Sequence, residues 1–403
     1  MVKHAGPGLQ AALLTGATGG SQAIVALAYV LCARAASPES FGFVASAIGV
    51  GMAMIGIVDF GANSYWMRSL ANGTMTLSDA ARRAFWKILT AVLLALVVLL
   101  ITRLFPMPSE FLAAAPVFLA MTLAQLAQVP LRAAARSELI ASALLASRVV
   151  MFLTLFTLLT LNFDAASTLW VSLTLGSAVE SVLYLMITPR AKRFRMGDYR
   201  YVNPWQGSAH FGVYSIATSF QSLDVSLVTS FAGAPAGGTY AAVNRWTQPL
   251  GLAVTGFTSA AAPFVARATT FREGWQMIRR AWWMLGVALL MCVFAFVLAP
   301  LIVPLLLGDA YADSVLIFQI MALGTIPALL TQPLAVFSQM RGADRPVGIL
   351  TAGGIALRLA ATAALAATFG AVGGALAYAV AQALLVVALG AVFFYAIRNE
   401  RAE

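Results

Sequence analysis

Six charged residues stand inside long apolar stretches: Asp59, Arg148, Glu180, Asp224, Arg245 and Arg358. A charge at bilayer depth is costly, so each needs a partner, a water-filled cavity or a ligand. Taking depth at about 1.5 Å per helical residue, Arg148 lies about 15 Å in from one surface and Glu180 roughly 10 Å from the same surface. These two can meet. Asp224 and Arg245 both lie roughly 8–12 Å from the opposite surface on consecutive spans, and they too can meet. Asp59 ends its span just before Gly61, where cytoplasmic water or Arg68 is the expected partner. Arg358 falls near the midplane, and the nearest counterpart to Glu180 there is the neutral Gln382. An arginine at that depth points to an aqueous cavity or an anionic ligand. The chemistry is therefore anion and ion handling within a membrane, with Arg358, Arg245 and Arg148 as candidate anion contacts and Asp224, Asp59 and Glu180 as candidate cavity or coupling acids.

Catalysis finds little support. No nucleophile–base arrangement, metal-ligand spacing or nucleotide-binding loop is present. Only His4 and His210 occur, and Cys32 and Cys292 define neither a disulfide framework nor a metal site. Asp59-Phe60-Gly61 ends a span and is no kinase signature. Neither a cofactor nor enzymatic activity is expected.

The elements that must position these charges are helices. The chain is 61% hydrophobic and 10% charged, against roughly 25% charged in soluble domains. Its apolar runs are continuous and long enough to cross a bilayer, which excludes an alternating barrel pattern. Twelve spans are read: 8–33, 42–63, 84–105, 111–132, 139–161, 165–187, 207–232, 240–265, 280–306, 313–340, 346–369 and 371–396. Twenty of the 25 basic residues then fall on one side, Arg34 and Arg103 on the other, and three inside spans. The positive-inside rule places both termini in the cytoplasm. The net charge of +10 thus reflects topology, and no nucleic-acid partner is expected. The inter-span segments are short, which favours transport over chemistry.

The halves echo each other. RRAFWKIL (82–89) returns as RRAWWMLG (279–286), each opening the third span of its half. Arg132, Arg136 and Arg148 recur as Arg341, Arg345 and Arg358, and Asn162-Phe163-Asp164-Ala165 as Thr368-Phe369-Gly370-Ala371. Six spans per half insert in one direction, so the repeats are parallel, with a binding site expected between them near the midplane. The expected organisation is a lobe over 1–187, a basic cytoplasmic linker over 188–206 and a second lobe over 207–403. In the echo motif the arginines are expected to meet lipid headgroups. Ser78 is expected to cap the first copy, and Thr270 with Glu273 to form a capping box for the second.

Several stretches, taken in order, resemble the polysaccharide repeat-unit flippases of the multidrug/oligosaccharidyl-lipid/polysaccharide exporter superfamily. RAASPESFGFVASAIGV (34–50) looks like the opening of their first half, and IVDFGANSYWMRSLA (57–71) like the end of their second span. SLDVSLVTSFAGAPAGGTYAAVNRWTQPL (222–250) resembles the start of their second half, and LLGDAYADSV (306–315) and FGAVGGALAYAVAQALL (369–385) complete it. The resemblance implies an all-α polytopic membrane protein of twelve transmembrane helices, in two six-helix lobes forming a V around a central cavity. It implies ion-coupled, alternating-access translocation of polyprenyl-diphosphate-linked oligosaccharides across the bacterial inner membrane. The implied partners are that lipid-linked substrate, membrane lipids and polysaccharide polymerase or assembly proteins. Lipid II flippases usually carry fourteen spans against twelve here. Multidrug extruders commonly use a carboxylate in span 1, which here has none. A multidrug or small-solute exporter and a lipid II flippase remain the alternatives, and the identity of the glycan is not readable.

Overall fold

The computed structural model describes residues 7–188, 200–247, 250, 282–340 and 344–400, all helical or in short connections, with no strand among them. Nine helices of the described residues are long and apolar enough to cross a membrane. The last of these, Arg345–Tyr395, contains Gly370 at φ 62°, ψ −145°, which ends one helix and starts the next. The protein is a multi-pass helical membrane protein.

Two compact units divide between Ser226 and Leu227. The first contains α1 (Pro7–Ala35), α2 (Pro38–Asp59), α3 (Ala62–Ala71), α4 (Leu77–Leu104), α5 (Ala114–Ala127), α6 (Val129–Ala133), α7 (Ser137–Thr160), α8 (Ala165–Ile187), α9 (Ala209–Phe220) and the start of α10 (Asp224–Ala232). The division therefore lies inside the seventh span, downstream of the 188–206 linker. The reason is the way α9 packs along α2. A Cβ on Gly49 would overlap the Ser222 carbonyl oxygen, one on Gly56 the Ser219 side chain, and one on Gly61 the Phe211 side chain. Small residues let the two backbones approach closely. Ser222 Oγ then donates to Gly49 O at 2.9 Å and Ser226 Oγ to Ser46 O at 2.9 Å.

The sense of burial is that of a membrane bundle. On α4 the buried positions are mostly alanine, Ala80, Ala81, Ala84, Ala91 and Ala95, while Leu96, Leu100 and Leu104 face outward. Lipid chains are as apolar as leucine, so close packing rather than apolarity selects the inner face. Helix starts follow local chemistry. Ser37 caps α2 with Pro38 in its first turn, and Asp164 accepts from Ser167 N at 2.7 Å to cap α8. On α4 the expected cap, Ser78, is already inside the helix. Thr76 caps instead, accepting from Asp79 N at 3.1 Å, because it holds the extended φ/ψ of a cap position. The second copy of the echo motif up to Ala281, with Thr270 and Glu273, lies outside the described residues.

The second unit contains the rest of α10, α11 (Ala234–Asn244), α12 (Trp282–Leu307), α13 (Ser314–Met340) and α14 (Asp344–Glu400). Ser314 Oγ bonds Thr239 O at 2.9 Å and Gln319 Nε2 bonds Phe296 O at 3.2 Å, tying α13 to α11 and α12. Both repeated corners contain a residue at positive φ: Asn162 at 58° before α8, and Gly370 at 62° inside α14, where ψ is −145°. The second lies in a region open in practice only to glycine.

Candidate functional site

The first unit holds an open cavity of about 370 Å³ at the end where α2, α3, α5, α6 and α9 converge. Its lining is Asp59, Asn63, Ser64, Met67, Gln125, Gln128, Val129, Arg132, Phe211, Tyr214, Ser215, Thr218 and Ser219. Amides and hydroxyls dominate. The break at Phe60 and Gly61, both left-handed, ends α2 at Asp59 and restarts the chain as α3, which brings Asn63 back beside Asp59. Gln125 and Gln128 lie three residues apart at the end of α5 and so share a face. Arg132 stands exposed, its Nε donating to Gln128 Oε1 at 2.9 Å.

The cavity's carboxylate is tied up from behind. Lys87, one turn into α4 beyond Arg83, is 1% exposed and ion-pairs with Asp59. Its Nζ also donates to Asn63 Oδ1 at 2.8 Å and lies 5.1 Å from the centre of the Trp66 ring. Asp59 accepts two further bonds, from Asn63 N at 3.2 Å and Ser215 Oγ at 3.3 Å. The expectation that Asp59 faces cytoplasmic water or Arg68 is therefore corrected. Burial of both groups selects a partner at equal depth, and α4 supplies it. Lys87, one of the twenty basic residues read on the cytoplasmic side, is a buried one. Matching depth along spans 2 and 3 was the signal that would have found this pair.

Arg148 and Glu180 meet as expected. Arg148 Nη2 lies 3.2 Å from Glu180 Oε2, and its Nε donates to Ser21 Oγ at 2.9 Å. Tyr184 OH donates to Glu180 Oε1 at 3.0 Å and Ser147 Oγ to Oε2 at 3.4 Å. The set links α1, α7 and α8. Asp224, 2% exposed, opens α10 in the first unit, where its carboxylate accepts from Val225 N at 2.8 Å. Arg245 follows α11 in the second unit, half-buried at the helix cap.

Arg358 is buried in the second unit at 7% exposure, its guanidinium carbon 4.7 Å from the centre of the Tyr378 ring. The Tyr378 hydroxyl lies 3.3 Å from Thr325 Oγ1 on α13. Tyr378 precedes Gln382 by one turn, and Gln382 Oε1 is buried with no hydrogen-bond partner among the described residues. Arg148 and Arg358, matched by the repeat, thus have different surroundings: a carboxylate for the first, an aromatic face for the second.

The first copy of the echo motif bonds to the chain itself. Arg83 Nη1 donates to Gln206 O at 2.9 Å and Asn203 O at 3.4 Å, and Trp86 Nε1 to Arg200 O at 3.3 Å. Trp205 Nε1 returns a bond to Val58 O at 2.9 Å, next to Asp59. Residues 200–208 are thereby strapped across the ends of α2 and α4. Among the described residues no cluster of metal-ligating side chains occurs.

No family model matches the chain, and no curated sequence does. Solved structures do. A multidrug resistance MATE family transporter of the MOP superfamily, inward-facing, is similar over 94% of this chain and 95% of its own, at 15% identity and TM-score 0.63. The lipid II flippase MurJ, inward closed, is similar over 97% and 91%, at 13% identity and TM-score 0.67. A MOP superfamily transporter from Pyrococcus furiosus, described by the reverse polarity of its binding pocket, is similar over 98% and 96%, at 13% identity and TM-score 0.56. The chain has the fold of MOP superfamily transporters over nearly its whole length.

Proposed function

We propose that this protein is a flippase that carries polyprenyl-diphosphate-linked oligosaccharides across the bacterial inner membrane by ion-coupled alternating access. One observation carries the reading. The cavity's carboxylate, Asp59, is neutralised by Lys87, so the charge left to face a ligand is the Arg132 guanidinium, set among Asn63, Gln125, Gln128, Ser215, Thr218 and Ser219. Amides and hydroxyls match sugar hydroxyls, and a guanidinium offers a planar fork to a phosphate. A site for lipophilic cations needs the opposite: an available carboxylate and an apolar wall.

In this reading the prenyl chain stays in lipid while the diphosphate and sugars pass through the protein. A diphosphate in low dielectric needs fixed, non-titrating positive charge along its route, and Arg358 and Arg245 are the proposed contacts beyond Arg132. Asp224 is the proposed coupling acid. Arg148 with Glu180, and Asp59 with Lys87, form buried ion pairs and take supporting roles. Both termini lie in the cytoplasm, as the distribution of basic residues requires. Membrane lipids and polysaccharide-assembly proteins are the proposed partners.

The likeness to MurJ favours one competitor, a lipid II flippase, whose substrate shares the diphosphate and differs in the glycan. The test is translocation in vesicles containing the purified chain, with labelled lipid-linked oligosaccharide and labelled lipid II offered separately. The expected result is movement of the oligosaccharide in preference. Movement of lipid II alone, or efflux of cationic dyes with neither lipid moving, overturns the proposal.

A further inference from the structure

We infer that Lys87 is the residue that sets the charge preference of the cavity, although it never touches the ligand. The inference rests on the reading of that cavity as the anion-handling site. Lys87 is 1% exposed and is not among the lining side chains, whereas Asp59 is. The lysine therefore acts only through the carboxylate in front of it. With the pair intact, the cavity presents Arg132 and neutral donors. With the ammonium removed, the Asp59 carboxylate faces the same space without its counter-charge and opposes any anion there. It would also stand near two aromatic rings, Phe211 and Tyr214, that line the cavity. A carboxylate beside aromatic faces is the chemistry that holds quaternary ammonium ions. One buried side chain thus separates an anion site from a cation site.

Three features show the pair to be built for this. Asn63 holds both charges, taking Nζ at 2.8 Å through Oδ1 and giving its backbone N–H to Asp59 at 3.2 Å. Ser215 fixes the second carboxylate oxygen at 3.3 Å from α9. The Trp66 ring, fully buried, closes the far side of the ammonium at 5.1 Å, so no solvent cation can replace it. The carboxylate is thus held in place independently of the lysine, and stays at the cavity wall when the lysine is changed.

The test is equilibrium binding of two small probes, inorganic pyrophosphate and tetraethylammonium, to the purified full-length chain. The wild type is expected to bind pyrophosphate and not tetraethylammonium. A unit charge about 8 Å away at an effective dielectric near 20 is worth more than a factor of ten in affinity. Lys87→Met is accordingly expected to weaken pyrophosphate at least about tenfold and to create tetraethylammonium binding. The double variant Asp59→Asn/Lys87→Met removes both charges, and is expected to recover pyrophosphate binding and lose tetraethylammonium binding. If the single variant does not fold, the double variant decides: recovery of the wild-type preference supports the inference, and loss of pyrophosphate binding overturns it. A folded Lys87→Met with the wild-type preference overturns the inference while leaving the anionic reading of the cavity in place. A wild type that ignores pyrophosphate overturns both.

Discussion

Arg148 on α7 and Glu180 on α8 form a buried ion pair at 3.2 Å that also reaches Ser21 on α1 and the Tyr184 hydroxyl. Three helices of the first unit share one set of charges, so the cost of disturbing it falls on stability. Arg148→Ala strands the Glu180 carboxylate, and loss of one partner of a buried pair costs about 3–5 kcal/mol. Arg148→Gln/Glu180→Gln leaves no unpaired charge and is expected to recover most of that loss. Thermal unfolding of the purified variants in detergent checks the order: wild type and double variant high, single variant low.

The seam between α2 and α9 makes a steric prediction. Gly49 and Gly56 have no room for a side chain, because the Ser222 backbone and the Ser219 side chain occupy the place of a Cβ. Gly49→Val and Gly56→Leu are expected to abolish the folded, monodisperse protein. Gly286→Ala on α12, where a Cβ meets nothing within 4 Å, is expected to be silent. Size-exclusion profiles of fluorescent fusions measure this directly. A monodisperse Gly49→Val would show that the two helices do not meet in the membrane.

The helices were legible in the sequence because hydrocarbon leaves the backbone no alternative. The Arg148–Glu180 pair was legible too, since two opposite charges at similar depth on consecutive spans have few other solutions. Lys87 was not. It sits five residues beyond Arg82 in a motif rich in interface residues, and only the approach of α4 to the end of α2 turns it inward. The α2–α9 seam was equally hidden: Gly49 and Gly56 leave room for a close neighbour, but nothing in the pattern says that this neighbour is the start of span 7. Capping at Thr76 rather than Ser78 was decided by two residues of helix register, which pattern alone does not fix.

Strapping of residues 200–208 by the echo motif predicts a local change in dynamics. Arg83 holds the carbonyls of Asn203 and Gln206. The turn they belong to contains the bonds from Gln206 N to Asn203 O and from Ser208 N to Trp205 O. Arg83→Ala is expected to speed hydrogen exchange at Gln206 and Ser208 several-fold, with α4 itself unchanged. Unaltered exchange at both amides would return the motif to headgroup contact alone.

Arg358 supplies the last prediction, which rests on the flippase reading. Its guanidinium lies over the Tyr378 ring, 4.7 Å from the centre, and Tyr378 is oriented by Thr325. A stacked guanidinium keeps its charge and its edge donors while losing rotational freedom. That arrangement suits a contact that must bind a diphosphate and then release it. Arg358→Ala is expected to abolish translocation of lipid-linked oligosaccharide while the protein still inserts and folds. Arg358→Lys should retain part of the activity, since the charge survives and the bidentate fork does not. Tyr378→Leu should lower the rate by loosening the arginine, with less effect than removing it. Arg148→Ala is the contrast, losing stability first and transport second, because Arg148 is already paired with the Glu180 carboxylate. Vesicle translocation read against the amount of folded protein separates these outcomes, and full activity in Arg358→Ala would remove the residue from the mechanism.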